Sequence, residues 1–150
     1  MSTLKDVFAR EAGPPTVLRF SVAMTPQPQG SAKAFVVGKR AIVTSDNAKL
    51  KDYRQMVAWS AQAARPAGWL PLDGPVQVTL TFAFLKPKSA PKKRTRPTTR
   101  PDLDKIVRAV LDGLKGIGYR DDSQVTSLSA RKRFGYAPET TVLVEAEAEL

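Results

Sequence analysis

Apolar and polar residues alternate along two stretches of the chain, and this pattern predicts β-strands. The first stretch runs from Leu18 to Met24 and the second from Val76 to Phe84. Side chains of a strand point alternately to the two faces of a sheet, so a period of two is typical of a half-buried strand. The proline-rich segment 25–30 ends the first strand, because proline lacks the N–H that a strand ladder needs.

Two other stretches place apolar residues three or four positions apart, which is the period of an amphipathic helix. The first helix is expected to begin at a cap on Ser45 or Asp46 and to end near Ala64, before Pro66. Its apolar stripe holds Leu50, Tyr53, Val57, Ala61 and Ala64, with Met56 at the margin. Trp59 lies off this stripe. We expect a neighbouring loop to cover it, the alternative being an exposed contact for a partner or a DNA base.

The second helix is predicted from Leu103 to Lys115, with one apolar and one charged side. The apolar stripe consists of Leu103, Ile106, Val107, Val110, Leu111 and Leu114. The opposite side carries Asp104, Lys105, Arg108, Asp112 and Lys115. Asp104 and Arg108 lie one turn apart, so the polar side starts with a carboxylate and continues with a cation.

The remaining patterns complete the order β, β-hairpin, α, β, α, β, β. A hairpin is expected over residues 34–44, and strands are expected over residues 125–134 and 141–148. Residues 1–16 are predicted to be a flexible lead-in. Short connections favour antiparallel neighbours, so the order predicts an α+β fold, with a mixed or antiparallel sheet packed against two main helices. A chain of 150 residues has the size of one domain, residues 1–150.

The composition restricts the chemistry that is open to this chain. Cysteine and histidine are both absent, which excludes disulfides, thiol nucleophiles and an imidazole base. Carboxylates, lysine, arginine, hydroxyls and a hard metal ion remain. No uncharged run approaches the ~20 apolar residues of a membrane span, and residues 1–11 lack the apolar core of a signal peptide. We therefore expect a cytoplasmic protein with no membrane partner.

The charge balance favours a polyanionic partner. The chain has 24 Lys and Arg against 14 Asp and Glu, a net charge of +10, and such an excess most often serves nucleic acid. Residues 86–101, the basic loop, contain seven basic residues, no acid and four prolines. We predict that this loop contacts DNA phosphates, the alternative being a solvated segment. Its bases are Lys86, Lys88, Lys92, Lys93, Arg94, Arg96 and Arg100.

Acidic residues flank the second helix at both ends. Asp102 and Asp104 open the helix, and Asp121 and Asp122 follow it after a short connection. Taken separately, Asp102 caps the helix, Asp104 complements its dipole, and the later pair forms a turn. If the pairs meet, their repulsion favours a bound divalent cation. Asp112 lies two turns (~12 Å) beyond Asp104 and is expected to be too far away to share that ion, unless the fold bends back.

The chain resembles the RusA-type family of Holliday-junction resolvases in two segments: residues 100–114, RPDLDKIVRAVLDGL, and residues 119–125, YRDDSQV. These resolvases are endodeoxyribonucleases common in phages and prophages. The family signature is D-x-D-N, then a helix with a lysine and L-D-A-L, then D-D-x-Q. The order of elements and the basic, proline-rich stretches around residues 26–33 and 86–100 extend the resemblance loosely over most of the chain.

The resemblance implies a small α+β domain that forms a homodimer and acts on branched DNA. It implies that Asp102, Asp104 and Asp122 bind a catalytic Mg²⁺, with Mn²⁺ as the alternative ion and Asp121 beside them. Lys105 replaces the usual asparagine, whose supporting role is thereby in doubt, and Arg108 replaces a catalytic lysine. Arginine keeps the charge and can clamp a phosphate, but it cannot donate its proton.

The sequence therefore favours a Mg²⁺-dependent, structure-selective endonuclease that resolves four-way junctions by paired nicks in DNA recombination and repair. The catalytic residues would be Asp102, Asp104, Asp122 and Arg108. Two alternatives stay open: a nuclease for other branched or flapped DNA, and a non-catalytic nucleic-acid-binding protein. A junction has two-fold symmetry and needs two opposed nicks, so we expect a homodimer.

Overall fold

The secondary structure follows the order that the sequence predicts. A computed structural model describes residues 13–30, 33–44 and 48–148. The expected cap at Ser45 or Asp46, and residues 1–12 of the expected lead-in, lie outside the described residues. The strands are β1 (Val17–Val22), β2 (Lys33–Val37), β3 (Arg40–Thr44), β4 (Val76–Leu85), β5 (Val125–Gly135) and β6 (Glu139–Ala146). The helices are α1 (Ala48–Ala64) and α2 (Leu103–Leu114), and a 3-10 turn (Asp122–Gln124) precedes β5.

The main sheet is mixed and has the strand order β1-β6-β4-β5. β6 pairs antiparallel with both β1 and β4, whereas β4 and β5 are parallel. The parallel pair arises because α2 crosses from the end of β4 back to the start of β5. β2 and β3 form a separate two-stranded antiparallel sheet. These observations confirm the α+β class.

The core lies between one face of the main sheet and the two helices. Leu18 pairs with Val144, which also pairs with Val78, so three strands align their inward residues in one row. All three side chains are fully buried, as the alternating patterns predict. The buried Tyr53 hydroxyl of α1 lies 2.5 Å from the hydroxyl of Thr140 in β6. This contact satisfies two polar groups inside an otherwise apolar core.

Most boundaries agree with the sequence prediction to within one residue, whereas two strand boundaries and the burial of Trp59 differ more. β1 ends at Val22, so Met24 belongs to the proline-rich loop and only partly packs on the core. β6 covers Glu139–Ala146 rather than residues 141–148, because Glu139 already pairs with Ala83 of β4. Trp59 is 56% exposed, so the prediction that a loop covers it is wrong. The indole lies on the side of α1 that faces away from the core.

The β4–α2–β5 crossover fixes the direction of α2. The helix begins beside the last residues of the parallel strands, where Lys132 of β5 donates hydrogen bonds of 2.8 Å to the Thr99 and Pro101 carbonyls. It ends beside their first residues, where Gln124 Nε2 donates to the Leu72 carbonyl at 2.7 Å. The two acidic pairs therefore lie at opposite ends of the sheet. No helix in the described part of the chain has the length and apolar character needed to cross a membrane.

Candidate functional site

Asp102 is the N-cap residue of α2, but its side chain does not cap the helix. Its backbone is extended, and its carbonyl accepts hydrogen bonds of 3.2 Å from the N–H groups of Lys105 and Ile106. No hydrogen bond joins its carboxylate to the first turn, so the capping interpretation of this side chain is wrong. The carboxylate is exposed and lies 3.6 Å from Lys105 Nζ. It is therefore available to a ligand.

A groove of about 520 Å³ lies beside Asp102, between the proline-rich loop and the start of α2. Its walls are Thr25, Pro26, Gln27, Pro28, Arg100, Pro101, Asp102 and Lys105. The Gln29 N–H donates to the Lys105 carbonyl at 3.0 Å and ties the loop to the helix. Asp104 and Arg108 are both exposed on the outer side of α2. The groove itself thus offers one carboxylate, Asp102, and two cations, Arg100 and Lys105, to a ligand.

Asp121 caps the 3-10 turn Asp122–Gln124, in agreement with the turn that the sequence predicts. Its carboxylate accepts hydrogen bonds from the Ser123 side chain and from the Ser123 N–H, the latter at 3.0 Å. Gln124 closes a capping box by accepting from the Asp121 N–H at 2.9 Å. Lys115 Nζ lies 3.1 Å from the same carboxylate. The Ser123 hydrogen bonds and then Lys115 lower the pKa of Asp121 to about 2.

Asp122 faces inward and lies beside a second carboxylate. Its Oδ1 is buried with no hydrogen-bond partner among the described residues, and its side chain interacts with Asp112 and the Tyr119 hydroxyl. Burial, followed by the Asp112 carboxyl, raises the pKa of Asp122. Tyr119 donates its own hydrogen bond to the Leu111 carbonyl at 2.7 Å. Asp122 is thus half-buried against a like charge, an arrangement that disfavours its ionised form.

Asp112 lies beside the second acidic pair and keeps the distance from Asp104 that the sequence predicts. The fold bends back after α2, so Asp112 lies next to Asp122, although it remains two turns from Asp104. Its Oδ2 accepts a hydrogen bond of 2.5 Å from Gln29 Nε2 and lies 3.8 Å from Arg54 Nη1. Asp112 therefore joins α1, the proline-rich loop and the second acidic pair. Its location on the polar side of α2 was the only sequence signal for this role.

One chain does not bring Asp102, Asp104 and Asp122 together. The 12 residues of α2 separate the two ends by ~18 Å at 1.5 Å per residue. Mg²⁺ binds oxygen at about 2.0–2.1 Å, so one ion cannot reach both ends. Within the described ranges, no group of three or more acidic side chains is placed to hold a metal ion. Each end still has a pair of carboxylates. The Oδ1 atom of Asp122, which has no hydrogen-bond partner among the described residues, is a ligand atom that suits a hard cation.

The basic loop is an exposed series of turns anchored at one buried residue. Pro97 is buried, while six of the seven loop bases are exposed and Arg94 is half-buried. The Ala90 N–H donates to the Pro87 carbonyl and the Arg94 N–H to the Pro91 carbonyl, both at 3.0 Å. None of the ion pairs among the described residues includes a loop base. No acid among the described residues therefore neutralises their charges, and Arg100 among them lines the Asp102 groove.

The family assignment agrees with this arrangement. The family model described as Endodeoxyribonuclease RusA matches residues 24–145, a range that contains both acidic pairs and the basic loop. The chain belongs to the RusA endodeoxyribonuclease family. It is also similar to the uncharacterized protein YqaN of Bacillus subtilis (strain 168), with 32% identity over 137 residues, which is 85% of this chain and 94% of YqaN. Membership in the RusA family supports nuclease activity on branched DNA, whereas the metal requirement and the roles of single residues remain predictions.

Lys132 is a candidate positioning residue that sequence reasoning missed. Its ammonium group donates to the carbonyls of Thr99 and Pro101, in the segment just before Asp102. From the sequence, a lysine in an alternating strand is expected to face solvent. Its two carbonyl partners become visible only in the fold, where the basic loop packs on β5. Sequence reasoning also missed Gln29, because its hydrogen-bond partner Asp112 lies 83 residues away in the sequence.

Proposed function

We propose that this RusA-family protein is a Mg²⁺-dependent, structure-selective endonuclease that resolves four-way DNA junctions by paired, symmetric nicks in recombination and repair. The family match over residues 24–145 carries the proposal. The exposed carboxylate of Asp102, which does not cap the helix and follows directly after the basic loop, supports it. A nuclease needs metal ligands next to cations that hold the phosphate backbone. Mn²⁺ is the alternative ion.

The active unit that we propose is a homodimer with composite sites. Asp102 and Asp104 of one protomer would hold the ion together with Asp122 of the partner subunit. A two-fold axis across the middle of α2 would lay each helix start against the partner's helix end, and so create two identical sites. The separation of the acidic pairs by the length of α2 supports this arrangement, since one chain cannot close the site alone.

The chemistry of each site follows from its residues. When bound, Mg²⁺ supplies polarisation of the scissile phosphate and lowers the pKa of a bound water. Arg108, on the same side of α2 as Asp104, would offset charge on the non-bridging phosphate oxygens. Because its guanidinium remains protonated, Arg108 stabilises charge but does not act as a general acid. Lys105 pairs with Asp102 and would add a second cation at the start of the helix.

The decisive experiment is cleavage of a labelled four-way junction in Mg²⁺ and in chelator. We expect symmetric nicks in Mg²⁺ and binding without nicking in chelator. Competition with flapped DNA distinguishes a resolvase from a nuclease for other branched substrates. If Mg²⁺ and Mn²⁺ both leave every branched substrate intact while binding persists, the protein is a non-catalytic DNA-binding protein and the proposal is wrong.

Substitution of the carboxylates tests the site assignment. Asp102→Asn, Asp104→Asn and Asp122→Asn should each reduce nicking at least about 100-fold, because each removes a metal ligand. Junction affinity should not fall, since the basic residues supply it. Asp52→Asn, an exposed acid on α1, is the matched control and should cleave at the parental rate. Parental rates for all three site variants would refute the assignment.

A further inference from the structure

A small aromatic cavity lies next to the Asp102 groove and has no role in the proposed cleavage chemistry. Its volume is about 130 Å³, and it opens between the ends of β4 and β5 and the basic loop. Phe84 and Phe134 pair across the two parallel strands and present neighbouring rings. The other walls are Leu85, Pro87, Pro97, Thr99, Arg100, Pro101 and Lys132. Flat rings and prolines thus form most of its lining.

Cations surround this apolar cavity. Lys86 Nζ lies 5.8 Å from the centroid of the Phe134 ring, and Lys132 Nζ lies 6.0 Å from that of Phe84. The Lys132 ammonium donates two hydrogen bonds to the Thr99 and Pro101 carbonyls, and an ammonium has three donors. One donor of this lining residue remains for a further acceptor. This combination suits a flat, polar ring attached to a negative charge.

The cavity lies beside the groove at the candidate cleavage site and shares two wall residues with it. Arg100 and Pro101 line both the cavity and the 520 Å³ groove that contains Asp102 and Lys105. A phosphate in the groove would therefore be separated from the cavity by one shared wall. A nucleotide has this same layout, because its base extends from the sugar–phosphate backbone to one side.

We propose that this cavity binds one unstacked nucleobase of the substrate DNA, next to the phosphate that lies in the Asp102 groove. The inference rests on the proposed function and adds a base-binding subsite to it. The volume matches about four waters at ~30 Å³ each, which is sufficient for one flat ring and small for a larger ligand. Bases at a branch point lose stacking neighbours, so their extrusion costs less than in continuous duplex.

An abasic scan of the junction combined with Phe134 variants tests the subsite. Affinities are measured in chelator for the intact junction and for junctions with one abasic nucleotide at each position around the branch point. For the parental protein, one position should weaken binding by about 5- to 150-fold, the range expected for loss of one base–aromatic stack. Phe134→Leu should weaken binding of the intact junction by a similar factor. For this variant, an abasic nucleotide at that position should cause no further loss of affinity. Phe134→Tyr should restore the sensitivity.

The outcomes separate this inference from the proposed function. A parental protein that nicks junctions but shows a flat abasic scan overturns the subsite and leaves the nuclease proposal intact. Additive losses from Phe134→Leu and the abasic position also overturn it, because coupled losses are the signature of a direct contact. Absence of binding and nicking on every branched DNA refutes the proposed function instead. Phe84→Leu provides a second variant if Phe134→Leu does not fold.

Discussion

At the scale of single residues, Asp121 and Asp122 are neighbours whose carboxylates lie in opposite environments. Asp121 is exposed and accepts hydrogen bonds from Ser123, which lowers its pKa to about 2. Asp122 is partly buried against Asp112, and its pKa is raised. The charged form of Asp121 therefore stabilises the fold at neutral pH, whereas the charged form of Asp122 opposes it. A residue that opposes folding is often retained for function.

The two asparagine variants should therefore shift the melting temperature in opposite directions. Measured at pH 7 in chelator, Asp121→Asn should lower it and Asp122→Asn should raise it. The stabilisation by Asp121 is present above the unfolded pKa of 3.8 and is lost as the pH falls towards about 2, so the first shift should fade over that range.

The raised pKa of Asp122 gives the opposite pH dependence. Its contribution to stability is present below the unfolded pKa and is lost as the pH rises through the higher folded pKa. The gain from Asp122→Asn should therefore disappear when the pH falls below about 4. Thermal unfolding between pH 2.5 and 7.5 measures both profiles. Shifts of the same sign at pH 7 would contradict this description of the two carboxylates.

At the scale of secondary-structure elements, α2 packs so closely on α1 that a glycine is required at the contact. A Cβ at Gly113 would lie 2.9 Å from Val57 Cγ1 and 3.0 Å from the Arg54 carbonyl oxygen. The backbone of α1 cannot yield as a flexible side chain would. This contact also holds Asp112, the preceding residue, against Arg54 and Gln29. The helix pair therefore positions Asp112 beside the second acidic pair.

Gly113→Ala should destabilise the protein, although alanine favours a helix by about 1 kcal/mol over glycine. We expect a net loss of about 1–3 kcal/mol from overpacking, measured by urea unfolding. Gly30→Ala is the control, because a Cβ there meets no atom within 4 Å. It should stay within about 0.5 kcal/mol of the parent. A more stable Gly113→Ala protein would show that the helices can separate at no cost.

The basic loop is the second element whose role can be measured directly. Replacement of Lys92, Lys93 and Arg94 by alanine should weaken binding to all DNA and flatten the salt dependence. Each lost phosphate contact should reduce the slope of log K against log salt by about 0.9. A control triple variant, Arg19→Ala, Arg131→Ala and Arg133→Ala, removes equal charge from exposed positions of the main sheet. Equal slopes for both variants would mean that the loop contributes only net charge.

At the scale of the whole molecule, the proposed composite site would make the quaternary structure part of the chemistry, because the two acidic pairs lie at opposite ends of α2. The proposed composite site predicts a dimeric mass at micromolar concentration. It also predicts complementation between inactive variants. In a mixture of Asp104→Asn and Asp122→Asn protomers, each heterodimer would contain one site with both substitutions and one site with neither.

The mixture should therefore nick one strand of a cruciform plasmid and yield open circles, whereas either variant alone should leave the plasmid intact. A site built within one chain predicts no rescue, because every site would carry one substitution. A monomeric mass with full resolving activity would also contradict the composite site. Gel electrophoresis of the plasmid and light scattering of the protein provide both measurements.

The local elements were determined by the sequence itself. The strands at 17–22 and 76–85 and the helix at 103–114 follow from periods of two and of three to four residues, because these periods bury one face of each element. The absence of histidine and cysteine, the positive charge and the RPDLD and RDDSQ segments were sufficient to indicate the family. Each of these signals lies within one short segment or in the overall composition, so none of them depends on which segments pack together.

The tertiary structure alone decided which charged groups meet. The parallel pairing of β4 and β5 sends α2 along the full length of the sheet, which parts Asp104 from Asp122 and brings Asp112 to Asp122. The fold also brings Lys132 to the Asp102 segment and Gln29 to Asp112, contacts across 31 and 83 residues of sequence. Periodicity places a side chain on a face of its own element. It carries no information on which element lies opposite, because that depends on how the whole core packs.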